Sequence, residues 1–230
     1  MSKAIIAMHG WGGDSRAWSP WLEGAQARGW SLACGERGYG QLEPVLPGWQ
    51  EGQRQRVLIG HSLGPHLLPA ELWQSATAVV LLASFAAFVP PGRDGRPVAA
   101  ALRAMATRLA AGDAQAQLRD FLARVAAPFP VSRLPVGPLQ QGLSTAGCAR
   151  LQQDLQLLAA TTGLPTGFPT EVPVLIVEAE DDQIVSAASR ALLRAALPQA
   201  EVWTLQRAGH ALLDHDLARA VLEWVSDGQP

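Results

Sequence analysis

Short, uninterrupted apolar runs recurring between helical patterns constrain this chain more than any other feature. They are Ala4–Met8, Arg56–Ile59, Ala78–Leu82, Val174–Val177 and Val202–Leu205, with Ser31–Cys34 as a further candidate. A half-buried strand alternates apolar with polar residues, whereas a run that is apolar throughout needs cover on both faces. The runs therefore predict a mostly parallel sheet with helices packed outside it, an α/β architecture. Helical spacing fills the intervals at Ser15–Arg28, Leu63–Trp73, Ala187–Leu197 and Asp216–Val225, the last with Leu217, Val221, Leu222 and Val225 on one stripe. Pro69 should kink or delay the second of these helices.

The middle of the chain reads differently. Val98, Leu102, Met105 and Leu109 recur at helical spacing, as do Leu118, Phe121, Leu122 and Val125, with Asp113 a candidate N-cap. Prolines at 128, 130, 135 and 138 follow, then a third helical stretch near Cys148–Ala160. No strand pattern interrupts them. The expected division is a core of residues 1–86 and 169–230, with residues 87–168 inserted as a helical cap over the sheet edge.

A chain of 230 residues that is 48% hydrophobic can bury one sizeable core. No apolar stretch approaches the roughly 20 residues that cross a bilayer. The N-terminal apolar run is short, and the His9-Gly10-Trp11-Gly12-Gly13 after it is no signal cleavage site. Cys34 and Cys148 suit neither a disulfide framework nor a metal site. These features predict a reduced, cytoplasmic protein with no membrane attachment and no bound metal. The net charge of −2 advertises no nucleic-acid surface. Its distribution is uneven, because between Ala86 and Phe168 eight arginines face four aspartates. A basic middle on an acidic body suits an acidic partner or substrate, or equally a set of solvated helix faces.

The chemistry concentrates at Gly60-His61-Ser62-Leu63-Gly64. A G-x-S-x-G sequence between a strand and a helix places its serine on a sharp turn, with Oγ above the sheet edge. Serine needs a base within hydrogen-bond reach. His210, after the last predicted strand, is the expected base; His61, His66 and His215 compete on composition, but His61, next to the serine, should point its side chain elsewhere on the elbow, and His66 and His215 read as surface or packing residues. The base in turn needs a carboxylate to fix its tautomer. Asp182, after the strand at Val174–Val177, is the expected partner, with Asp181 the alternative. An acyl-transfer site also needs donors for the developing oxyanion, each worth roughly 3–4 kcal/mol. The backbone N–H groups of Leu63 and of Trp11, in the glycine-rich turn, are expected to supply them. That turn matches neither G-x-G-x-x-G nor the phosphate-loop lysine pattern.

His9-Gly10-Trp11-Gly12, Arg37-Gly38-Tyr39-Gly40, Gly60–Gly64, Asp182–Val185 and Gly209-His210 fall in the order found in α/β-hydrolases, and the chain resembles that superfamily. Within it, the Gly-Trp-Gly turn, the stretch from His210 to Asp216 and a cap ending in Leu151–Leu158 resemble the pimeloyl-[acyl-carrier protein] methyl ester esterases of biotin synthesis. Gly35 stands where that fold's second loop usually has an aspartate, and Glu36 comes one residue later. The resemblance implies a serine carboxylesterase without cofactor, acting through an acyl-enzyme on a carrier-bound acyl ester. It also implies cap arginines that meet an acidic acyl carrier protein; Arg119, Arg124 and Arg150 are the candidates. Two other readings stand beside it: a short-chain carboxylesterase or thioesterase with no carrier partner, and a non-catalytic binding protein.

Overall fold

The structure, a computed structural model, describes residues 3–213 and 216–227. Six strands, β1 (Lys3–Met8), β2 (Ser31–Cys34), β3 (Gln55–His61), β4 (Ala78–Leu82), β5 (Val174–Ala179) and β6 (Glu201–Leu205), form one sheet in the order β2-β1-β3-β4-β5-β6. Every pairing is parallel. All six expected strands are present, and most extend a residue or two beyond their apolar runs.

The apolar runs are explained by the two layers they feed. Ile5, Ala7, Val57, Ile59, Val80, Leu175 and Val177 face one core cluster, which also holds Trp18, Trp21, Val221 and Leu222. Their alternates Ile6, Met8, Leu58, Val79, Leu81 and Ile176 face a second cluster with Leu72, Trp73 and Leu193. Side chains alternate along a strand, so burial of both sets demands apolar residues at every position. The outer helices α1 (Ser19–Ala27) and α8 (Leu217–Asp227) cover the first layer, and α2 (Ala70–Gln74) and α7 (Ala187–Ala196) the second.

Two predicted helices are interrupted. The stretch Ser15–Arg28 opens with a short 3-10 turn, Ser15–Trp18, before α1. Leu63–Trp73 divides into a 3-10 turn, Gly64–Leu67, and α2, with Pro69 at the N-cap of α2. Proline lacks the N–H a continuing helix would use, so the chain breaks there.

Between β4 and β5 lie α3 (Gly95–Ala110), α4 (Ala114–Ala126), the short α5 (Pro138–Gln141) and α6 (Thr145–Ala160). Their apolar faces join Trp11, Tyr39, Leu63 and Phe85 of the sheet edge in a third cluster. Asp113 precedes α4 but makes no side-chain cap; its carboxylate accepts from Arg108 instead. An isolated antiparallel bridge, Ala87 with Thr162, ties the start of this helical segment to its end. Cys34 and Cys148 are both free. No helix among the described residues is long and apolar enough to cross a membrane.

Candidate active site

All strands run the same way, so the loops after β1, β3, β5 and β6 emerge on one side. The sheet order reverses direction between β1 and β3, and the crevice at such a switch point is where parallel sheets bind ligands. The turn containing Trp11 and the turn containing Ser62 flank it.

Ser62 sits immediately after β3 with φ +56°, in the left-handed region that costs a non-glycine residue free energy. The surrounding contacts impose that conformation. Its N–H donates to the Leu82 carbonyl at 2.9 Å, and the buried Ser84 hydroxyl donates to the Ser62 carbonyl at 2.8 Å. The flanking glycines are sterically required, because a Cβ at Gly64 would lie 2.2 Å from the Met8 carbonyl oxygen, and one at Gly60 2.4 Å from Pro65. A Cβ at Gly10 would fall 2.7 Å from that of Ser62. The turn after β1 therefore lies directly against the serine.

His210 is buried in the loop after β6, and its Nδ1 is 2.9 Å from Asp182 Oδ2. The other Asp182 oxygen accepts from the Ile184 and Val185 N–H groups at 2.7 and 2.9 Å. Burial works against the carboxylate, but the His210 ring and these amides outweigh it and hold Asp182 below its ordinary range. An ionised carboxylate can only accept, so His210 donates its Nδ1–H to Asp182. Asp181 is exposed, and its backbone N–H donates to the Ala208 carbonyl. Geometry thus favours Asp182 over its neighbour.

Ser62 and His210 line the same cavity, of about 280 Å³, whose walls include Trp11, Trp18, Phe121, Leu122, Val125 and Leu213. Among the described residues no hydrogen bond joins Ser62 Oγ to the His210 ring; in ligand-free sites such bonds are often long and tighten with substrate. The N–H groups of Trp11 and Leu63 find no protein acceptor among the described residues, although both residues are buried. Buried amides are normally paired, so two unspent donors beside a serine suit an incoming oxyanion.

Side-chain contacts of Trp11, Glu36 and His61 that the sequence does not signal hold this arrangement. The Trp11 indole N–H donates to the Leu151 carbonyl of α6 at 2.9 Å, and its ring meets Phe121 edge-on at 4.7 Å. Glu36 is buried and accepts from the Ser15 and Gly38 N–H groups at 2.8 and 2.7 Å. Burial pushes its carboxyl up, but the neighbouring His9 ring and these amides bring it down to about 2. A side chain at Gly35 itself is excluded, because a Cβ there would lie 2.3 Å from the Met8 sulfur. His61, expected to turn away from the site, lines the cavity and hydrogen-bonds the His210 carbonyl through Nε2 at 2.9 Å. His66 stacks on Phe85 and bonds its carbonyl, a packing role. His215 lies outside the described residues.

The arginines divide. Arg119 and Arg124 are exposed on α4, and no ion pair engages either among the described residues. Arg150 is half-buried and donates to the Gly38 carbonyl at 2.8 Å, tying α6 to the loop after β2. Beside it, Arg37 and Tyr39 converge on the buried Asp154 at 2.7 Å.

Solved structures of the same shape decide the fold. A bromoperoxidase from Bacillus anthracis superposes with a TM-score of 0.74 at 18% identity, covering 99% of this chain and 93% of that one. An enol-lactonase from Burkholderia xenovorans LB400 gives 0.72 at 17% identity, over 99% and 92%. The chain has the α/β-hydrolase fold. An esterase from Exiguobacterium antarcticum matches it as well, with a TM-score of 0.71 at 17% identity over 98% of this chain and 92% of the other. In sequence, this α/β-hydrolase chain is 28% identical over 220 residues to the biotin biosynthesis bifunctional protein BioHC of Cellvibrio japonicus (strain Ueda107). The match covers 90% of this chain and 44% of that protein, so the chain spans less than half the length of its curated relative. No protein-family model matches the chain.

Proposed function

We propose that this chain is a serine carboxylesterase whose substrate is the methyl ester of a pimeloyl group on an acyl carrier protein, in biotin synthesis. One observation carries the serine mechanism: a strained serine, an Asp-oriented imidazole and the Trp11 turn line a single apolar cavity. Ser62 Oγ attacks the ester carbonyl as its proton passes to His210 Nε2. The Trp11 and Leu63 amides receive the oxyanion, and Asp182 stabilises the imidazolium. The carbon–alkoxy bond breaks, and His210 gives its proton to the departing alcohol. Water then adds to the acyl-enzyme with the proton again moving to His210, which returns it to Ser62 as the acid leaves. No cofactor enters these steps.

The substrate assignment rests on the sequence match to the biotin-synthesis relative and on the resemblance to its esterases. Exposed, unpaired Arg119 and Arg124 on the cap suit an acidic carrier, whereas Arg150 is withdrawn from that role by its bond to Gly38. The second reading is a short-chain esterase without a carrier, for which an apolar cavity of about 280 Å³ is room enough. The two readings separate when hydrolysis of a carrier-bound methyl ester is compared with that of a small chromogenic ester as salt is raised. Loss confined to the carrier-bound rate is expected, because screening weakens electrostatic docking and leaves the chemistry alone. Equal salt dependence of the two rates would remove the carrier from the proposal.

A further inference from the structure

The sheet order sets a problem for any base carried after β6. Two strands, β4 and β5, separate β3 from β6, so the loop bearing His210 must reach across their ends to meet Ser62. Asp182 fixes the imidazole, but one hydrogen bond to a ring leaves the main chain free to shift. Besides the Asp181–Ala208 bond, three contacts at residues 209–211 restrain that main chain. The Ala211 N–H donates to the Val125 carbonyl of α4 at 3.0 Å. Gly209 lies so close to the Ala127 carbonyl that a Cβ there would be 1.6 Å from its oxygen. The third contact comes from the nucleophile's own strand: His61, the last residue of β3, bonds the carbonyl of His210 itself at 2.9 Å.

We propose that His61 is a positioning residue that braces the catalytic base against the nucleophile strand, an inference that rests on the serine mechanism above. Its Nε2–H must be the donor, because a carbonyl oxygen only accepts. The two rings lie 5.0 Å apart at 49°, beside one another at the cavity wall. Burial first, and the adjacent His210 second, hold the His61 imidazolium down at about 4, so the ring is neutral at neutral pH. Neutrality matters for the role. A fixed cation here would oppose the positive charge His210 gains in each half-reaction, whereas a neutral N–H donor restrains it without that cost. A misplacement of about 1 Å between base and nucleophile lowers turnover on the order of a hundredfold.

The test replaces His61 by Leu and by Met, which lack the donor, and by Gln, whose amide restores one. The readouts are ester turnover and the rate at which a fluorophosphonate labels Ser62. The donor-less variants are expected to lose about a hundredfold in kcat and in labelling rate together, with KM within about twofold. The Gln variant is expected to recover to within about tenfold of the wild type. Should the Leu variant prove too unstable to purify, Met against Gln decides alone. Wild-type rates without the donor would overturn the proposal, as would an equal fall in Gln and Met, which would mark a packing role. A wild-type protein that neither labels nor hydrolyses esters would instead remove the serine mechanism, and this inference with it.

Discussion

Ser62 and the two loops that face it are held by different parts of the molecule. Ser62 is anchored by the sheet, through the Leu82 carbonyl and the Ser84 hydroxyl at the end of the neighbouring strand. The turn bearing Trp11 and the loop bearing His210 each rest on the cap, through the carbonyls of Leu151 in α6 and Val125 in α4. The difference teaches that the helices between β4 and β5 do more than cover the cavity. The geometry of Ser62 belongs to the sheet, whereas the turn of Trp11 and the loop of His210 take their positions partly from those helices.

Variants on each side of that division should behave differently. Ser62→Ala is expected to abolish ester turnover, by about ten-thousand-fold or more, in assays of initial rate. Its melting temperature should stay near that of the wild type, because alanine meets the same sheet contacts at the same strained φ. Asp182→Asn should lower kcat by about a thousand- to ten-thousand-fold through the wrong histidine tautomer. Gly209→Ala probes the cap side, since its Cβ must push the base loop off the Ala127 carbonyl. A loss of about a hundredfold in kcat is expected there, with circular dichroism showing an intact sheet. Trp11→Phe keeps an aromatic ring, though a smaller one, and the backbone amide but removes the bond to Leu151, and should cost about tenfold in kcat. If Gly209→Ala and Trp11→Phe leave kcat untouched, the cap is only a cover.

The smallest effect concerns Glu36, which fixes the far end of the Trp11 turn. Its carboxyl is depressed from 4.5 to about 2, so the folded state gains from its ionisation above pH 4.5. That gain is lost as pH falls through about 2, because the unfolded chain takes up the proton first. Thermal melts of the wild type and Glu36→Gln should therefore differ most near neutral pH and converge across that window.

Much of this arrangement is legible in the chain because it depends on local pattern. The strands announce themselves as runs buried on both faces, and Ser62, Asp182 and His210 each follow one of them. Pro69 likewise marks the break before α2. What sequence reasoning missed depends on residues far apart in the chain. His61 contacts a loop 149 positions away, and Arg150 bonds a carbonyl 112 positions away, so neither spacing nor periodicity signals the partner. Asp113 has the identity and place of an N-cap, but Arg108 lies within reach and takes its carboxylate. The glycine at 35 offered a signal that could have been followed: a missing acid in the second loop directs attention to the nearest one, Glu36.

The bridge between Ala87 and Thr162 has a consequence for how such a chain can vary. Two residues paired across an antiparallel bridge lie about 5 Å apart, so the helical segment leaves and re-enters the sheet at nearly one point. Segments with adjacent ends are exchanged or resized with little disturbance to their host. The helices from α3 to α6 thus behave as a cassette: swapping it redraws the walls of the cavity while the strand leading to Ser62 stays as it was.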